Sequence, residues 1–331
     1  MLGVPVDDVT MDETVDLVLD FVEDGRATGR THQIATVNVD FVVNATRDER
    51  LLDIMRGTSL SVPDGMPVVW TSRWLGAQLR ERVAGADLVS AVAEQARLRG
   101  TRLLLLGAGP GIAERAARLL RERFSGLDVV ADEGPAFDDP GDIADTEIQR
   151  LREVRADVCC VAFGNPKQER FIAHWGRALD IPVMIGVGGS LDFLVGHKRR
   201  APGWMQRSGL EWVHRMVTEP RRLVGRYVTD VGRFLPAIAA QLWQGRRSTR
   251  VGRAVIERTD DGSTSIDLGD LTRADNRTAS ELVSAVRTAR RVGARVAVKG
   301  DPTALQAVEG LRAVVVGHPS GEIVGRNDNC G

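Results

Sequence analysis

The 331-residue chain has three cysteines, three lysines and no long apolar run, and each shortage removes a class of explanation. Cys159 and Cys160 are adjacent in the apolar stretch "VCCVAF", where strand neighbours point to opposite faces, and Cys330 sits in a polar tail. No disulfide or zinc spacing results, which fits a reducing cytosol. The five histidines, His32, His174, His197, His214 and His318, have no metal-ligand spacing either. There is no Gly-x-Ser-x-Gly elbow, and no Asp-x-Asp triplet of the kind that holds a divalent metal at a strand end of the first domain. Neither a serine hydrolase nor a metal site is expected, and no cofactor is implied.

The longest apolar stretch near a basic flank, "FLPAIAAQLW" at 234–243, is about half the roughly 20 residues a spanning helix needs. It is too short to cross a bilayer and long enough to lie on one. The N-terminus "MLGVPVDDVTMDE" is acidic where an export signal is basic, so a cytoplasmic protein is expected. A net charge of -1 gives no global attraction to nucleic acid, and any electrostatic partner must be met locally.

What is present is α/β alternation. Short apolar runs at "HQIATV", "LSV", "RLLLLG", "DVVA", "DVCCVAFG" and "PVMIGVG" are separated by helix-length segments, the first opened by a Thr10–Glu13 capping box. Near-continuous apolar strands alternating with helices predict a parallel sheet covered on both faces, with ligands beyond the carboxyl ends of its strands. The polar groups "TVNVD", "VPDG", "GAGPG", "FGNPKQER" and "GVGGSLDF" all fall at such ends.

Four domain segments are expected: a core over 1–200, a basic helical appendage over 201–245, a linker over 246–253 and a small α/β unit over 254–331. From His197 to Arg247 there are 11 Lys or Arg against 3 acids, interleaved with Trp204, Trp212, Tyr227 and Trp243. Such a stretch suits either a solvated arginine face or an interfacial helix on anionic lipid. Beyond the linker, "DDGS" signals a hairpin, "NRTASELVSAVRTARRVG" a helix and "ARVAVKG" a strand.

The chemistry-bearing motifs carry competing readings. Gly107, Gly109 and Gly111 sit in a strand-to-helix turn that suits a phosphate, but their spacing is not the dinucleotide fingerprint, and the acid that would hold a ribose is Asp132. In "FGNPKQERFI", Asn165 suits a helix cap and Pro166 a first turn, whereas the positive charge of Lys167 is unfavourable at a helix N-terminus unless an anion lies beside it. Gly188 and Gly189 allow close backbone approach, Ser190 suits a cap, and Asp192 falls in the following turn. Thr36, Asn38 and Asp40 are also compatible with a cap. Asp64, in "SVPDGMPVVW", is either the acid that a Pro-Asp-Gly corner favours or a carboxylate at the mouth of a site.

Taken in order, "ATVNVDFV", "SVPDGMPVVW", "ERVAGADLV", "GAGPGIAE", "FGNPKQERFI", "GVGGSLDFLVGHKRRAPGWMQRSGLEWVHRM" and "TEPRRLVGRY" resemble the WecG/TagA/CpsF glycosyltransferases, glycosyltransferase family 26. The resemblance spans the first 245 or so residues. It implies a Rossmann-like core and an inverting, metal-independent transfer from a UDP-sugar, typically UDP-N-acetylmannosamine, to N-acetylglucosamine on a polyprenyl diphosphate. Family members build teichoic acid linkage units, common antigen and capsule or exopolysaccharide repeats. The resemblance makes Asp64 the catalytic base, with Thr36 and Asn38 in the same pocket, and carries over Arg82, Asp87 and Gln168. It also carries over Arg215, Arg221, Arg222 and Arg226 of an appendage that closes over the nucleotide and holds the enzyme to the inner face of the membrane. Lys167 and the glycine turns, including Gly107, Gly109, Gly111, Gly188 and Gly189, would meet the diphosphate.

Residues 254–318 resemble a STAS domain, but "LTRADNRTASEL" lacks the DSSG-type serine that such domains phosphorylate, which leaves a protein-interaction role. The reading from another class is a nucleotide-binding scaffold whose STAS-like unit recruits a protein partner.

Overall fold

The computed structural model describes residues 1–197, 201–203, 205, 210–218 and 220–247. Farther along it describes 255–258, 264–267, 282, 284–288, 296–299 and 321–324. Six strands, β1 (His32–Val37), β2 (Leu60–Pro63), β3 (Leu103–Gly107), β4 (Val129–Asp132), β5 (Val158–Ala162) and β6 (Val183–Gly186), form one sheet in the order β2-β1-β6-β5-β3-β4. Every pairing in it is parallel. β3 and β5 are apolar on both faces because helices cover both, and β1 is buried except at Gln33.

On one face, α1 (Met11–Thr28), α5 (Gly85–Arg99), α6 (Ile112–Arg123) and α9 (Ser190–Leu194) pack their apolar sides against Ile34, Leu103, Leu105, Cys160 and Ile185. On the other, α7 (Asp145–Arg152) and α8 (Lys167–Leu179) meet Leu104, Leu106, Cys159 and Met184. The adjacent cysteines thus enter different cores. Burial drives both thiols up, that of Cys160 to about 12, so neither is poised to react. Cys330 lies outside the described residues.

The expected capping box is present: Thr10 Oγ1 accepts from the Glu13 N–H at 3.2 Å and Glu13 Oε2 from the Thr10 N–H at 2.9 Å. α2 (Val39–Ala45), α3 (Glu49–Gly57) and α4 (Met66–Trp74) complete the core. The appendage follows as the helices Glu211–Thr218 and Pro220–Arg247. The longer one sits on α2 through buried Phe234 and Ile238, and Gln241 Oε1 accepts from the Leu2 N–H at 3.1 Å. Val228, Val231, Leu235 and Trp243 of the same helix are exposed. No helix among the described residues is long and apolar enough to cross a membrane.

A second sheet contains β7 (Val255–Arg258), β8 (Thr264–Asp267), β9 (Val296–Lys299) and β10 (Gly321–Val324) in the order β10-β9-β8-β7. β7 and β8 form the antiparallel pair that the Asp-Asp-Gly-Ser signal announces, and β9 is the expected strand. β10 was not foreseen: "GEIV" is too short to show a period and acquires its state by pairing with β9.

Candidate active site

The loops leaving β3 and β5 run to opposite sides of the sheet, and in such folds the crevice at that divergence takes the ligand. A cavity of about 660 Å³ opens there, lined by Gly109, Phe137, Gly164, Lys167, Gly188, Gly189 and Asp192 among others. It draws on the ends of β3, β4, β5 and β6.

The cavity floor is held by two fully buried polar side chains. Gln168 Oε1 accepts from the Gly164 N–H at 3.1 Å and the Gly188 N–H at 2.9 Å, so one amide ties the turns after β5 and β6 together. Gln168 Nε2 donates to Glu169 Oε1 at 2.7 Å, and Asn165 Nδ2 donates to Glu169 Oε2 at 2.9 Å. Asn44 Nδ2 closes the chain by donating to Asn165 Oδ1 at 2.7 Å. Gly186 makes room for this network, since a Cβ there would stand 2.7 Å from Gln168 Nε2 and 2.8 Å from Glu169 Oε1. Burial pushes the Glu169 carboxyl up to about 7, against the opposing pull of its hydrogen bonds from Gln168 and Asn165 and with the charge of Asp40 adding to the rise.

This network corrects three expectations. Gln168 is wholly buried with its amide spent on protein groups, so it shapes the cavity from behind instead of facing a substrate. Asn165 does not cap α8, which begins without a side-chain cap, because its amide is committed to Glu169 and Asn44. Ser190 does not cap α9; its hydroxyl donates back to the Val187 carbonyl at 2.6 Å.

The glycine turn after β3 also divides. Gly109 lines the cavity. Gly107 is the last residue of β3, paired with Ala162 beneath the Phe163 ring, and the Gly111 N–H is taken by Glu133 Oε1 at 2.9 Å. Neither meets a phosphate in this arrangement. Asp132, the candidate ribose acid, pairs with Arg150 and accepts from the Gly134 N–H at 2.7 Å, which removes the dinucleotide reading its anchor. Lys167 reaches the cavity, its Nζ 4.8 Å from the Phe137 ring centroid and 3.7 Å from the exposed Asp138 carboxylate.

Beside the cavity, at the ends of β1 and β2, stand Thr36, Asn38 and Asp64. Thr36 is buried and donates to the Gly186 carbonyl at 2.8 Å, locking β1 to β6. Asn38 caps α2, its Oδ1 accepting from the Phe41 N–H at 3.2 Å. The Asp64 N–H donates to the Val37 carbonyl at 2.8 Å, which brings the Pro-Asp-Gly corner against the end of β1. Gly65 follows at φ 144°, a conformation side chains rarely adopt, α4 starts at once, and Asp64 is partly exposed at the carboxyl end of β2. Asp87 lies in the first turn of α5, beside Gly85, whose absent Cβ lets α5 approach Ser190 and Thr36.

Arg82 faces the appendage. Its Nη1 donates to Glu211 Oε2 at 2.7 Å, with the side chains 16% and 8% exposed. The side chains of Arg215, Arg221, Arg222 and Arg226 lie outside the described residues, although their backbones belong to the appendage helices. Among the described residues no cluster of three His, Cys, Asp or Glu stands ready for a metal.

A family model described as the glycosyl transferase WecG/TagA/CpsF family matches residues 1–248. The chain belongs to that family. Among its relatives is an N-acetylglucosaminyldiphosphoundecaprenol N-acetyl-beta-D-mannosaminyltransferase of Staphylococcus aureus, 30% identical over 223 residues, covering 67% of this chain and 85% of the relative. The proteins of that name from Bacillus spizizenii and Bacillus subtilis are 28% identical over 218 residues and 29% over 189. The first match covers 64% of this chain and 83% of the relative, the second 57% and 72%.

Sequence reasoning missed Glu211 as the partner of Arg82 and gave Glu169 no role. A signal for Glu169 existed, since it shares an i, i+3, i+7 face of α8 with Ile172 and Gly176, both on its packed side.

Proposed function

We propose that this glycosyltransferase moves N-acetylmannosamine from its UDP derivative to N-acetylglucosamine carried on a polyprenyl diphosphate, with inversion and without a metal. The observation that carries this reading is the adjacency at one sheet edge of a glycine-walled cavity holding Lys167 and a partly exposed acid, Asp64, on a fixed corner. The relatives' printed names supply the sugars.

In this reading the UDP moiety occupies the cavity, and the diphosphate charge is met by Lys167, the turn N–H groups near Gly109 and Gly189, and the appendage arginines Arg215, Arg221, Arg222 and Arg226. The Asp64 carboxylate takes the proton of the acceptor hydroxyl as its oxygen forms a bond to the anomeric carbon. The bond from that carbon to the diphosphate oxygen breaks with its electron pair leaving on UDP. One displacement inverts the centre, and general-base assistance of this kind contributes roughly 10²- to 10⁴-fold.

The acceptor's lipid sets the location. The exposed Val228, Val231 and Leu235 recur at helical spacing on the long basic helix, flanking buried Phe234 and Ile238, which suits a helix whose apolar stripe lies partly on the core and partly on the inner face of an anionic membrane. The STAS-like unit is read as a site for a protein partner.

The test is transfer from a panel of UDP-sugars to a synthetic polyprenyl-diphosphate N-acetylglucosamine with chelator present, native chain against Asp64→Asn. Product from the native protein alone, with the variant folded and still binding UDP, supports the reading. Equal product from both removes Asp64 from the chemistry.

A further inference from the structure

Strand β2, which delivers Asp64, is an edge strand of the large sheet, and an edge is normally paired or covered. Here the N-terminal segment covers it. The Asp7 N–H donates to the Ser61 carbonyl at 2.8 Å, and the Ser61 N–H donates to Asp7 Oδ2 at 2.7 Å. The Asp7 carboxylate is thereby placed inside the protein, its side chain 6% exposed. A buried carboxylate requires a charged partner, and the partner comes from 280 residues away. Arg287 Nε donates to Asp7 Oδ1 at 2.9 Å and Nη2 to Oδ2 at 2.8 Å, while Nη2 also stands 3.4 Å from both Thr58 Oγ1 and Ser61 Oγ. Arg287 is 4% exposed, and Leu282, Ala285 and Val286 of its helical stretch are buried with it.

The family match ends at residue 248, so nothing in it accounts for this contact. A planar fork gripping both oxygens is a docking geometry that a lysine could not reproduce. We propose that the helical residues 284–288 are an intramolecular docking element, anchored by Arg287 on Asp7, through which the C-terminal unit clamps the strand that carries Asp64. Three residues beyond the anchored Ser61, the Asp64 N–H holds the Val37 carbonyl, and the Pro63 carbonyl accepts from the Val83 N–H at 2.9 Å. The clamp therefore stiffens a continuous path from the C-terminal unit to the corner that carries Asp64. The docking stands on geometry alone; only the importance of Asp64 rests on the proposed function.

Amide hydrogen exchange on the full chain tests the clamp without needing turnover, so its failure is distinguishable from failure of the transfer reading. In Arg287→Met the amides of 59–62 and of Asp64 should exchange roughly tenfold faster or more, because Asp7 loses the guanidinium fork and its hold on Ser61 weakens. Arg287→Lys, which keeps the charge and loses the fork, should give an intermediate rate. Rates within twofold of native for Arg287→Met overturn the proposal. If that variant does not fold, Arg287→Lys decides alone, and a native rate there overturns it equally.

Discussion

Two parts of the carboxyl edge of the large sheet are built on opposite plans. At the ends of β5 and β6, Gln168 and Glu169 are buried behind the turns and bonded to each other and to the half-buried Asn165, leaving the glycine turns and Lys167 to face the cavity. At the ends of β1 and β2, the backbone is spent locally and a side chain, Asp64, stays partly exposed. Backbone N–H groups fixed from behind suit an anion whose charge need only be met, whereas a proton transfer needs a titratable side chain in reach. The first half is a binding surface and the second a reacting one, and substitutions should separate them.

The largest separation is expected from Asp64→Asn. Transfer should fall roughly 10²- to 10⁴-fold while UDP affinity stays within about twofold, because the base is lost and the turns are untouched. Titration calorimetry with UDP beside a transfer assay checks both; a parallel loss of affinity would merge the two halves. Removing the chain from Gly203 onward should also abolish transfer with the core still folded but loosened along β2, since Arg82 loses Glu211, the diphosphate loses the appendage arginines and Asp7 loses Arg287. Transfer at the native rate by that truncated core would show that the appendage takes no part.

How far these plans could be read from sequence follows the same division. The six strands of the large sheet and the edge that gathers the motifs were legible, because apolar runs alternate with helix periods and parallel strands end on one side. Asn38 as a cap and Gly109, Gly188, Gly189 and Lys167 at the cavity were legible from strand-to-helix turns. The direction in which a side chain turns was not. In a linear reading Gln168 looks like a site-facing polar group and Asn165 like a helix cap, and only the approach of Gly186 and Asn44 shows both committed to the inner network. Asp7 and Arg287, or Arg82 and Glu211, are pairs across long stretches of chain that no local pattern links.

A single methyl should test the binding half. Gly186→Ala would press its Cβ onto the side chains of Gln168 and Glu169, and their hydrogen bonds to Gly164, Gly188, Asn165 and each other keep them from yielding freely. Overpacking of that kind costs about 1–3 kcal/mol, so the melting temperature should drop. UDP affinity should weaken with it, as the turns at Gly164 and Gly188 lose their common tie, while the rate of the bound complex changes less. A fall in kcat with UDP affinity unchanged would mean that the network serves the chemistry after all.

The smallest effect per step is a pH dependence carried by Glu169. Its carboxyl is raised to about 7 by burial, from an ordinary value of 4.5, so between those values the folded protein holds a proton that the unfolded chain has released. Stability then declines as pH rises through that window, by at most about 1.4 kcal/mol per pH unit, and levels off above pH 7 where both states are ionised. Glu169→Gln removes the ionisation and should flatten this component, so the melting temperature of the variant relative to native should rise from pH 5 to pH 7.5. The amide has one oxygen for two donors, Gln168 Nε2 and Asn165 Nδ2, so the variant should also start lower at pH 5. A constant offset between the two melting curves at all pH values would place the Glu169 proton elsewhere and leave the network neutral in function, held by geometry alone.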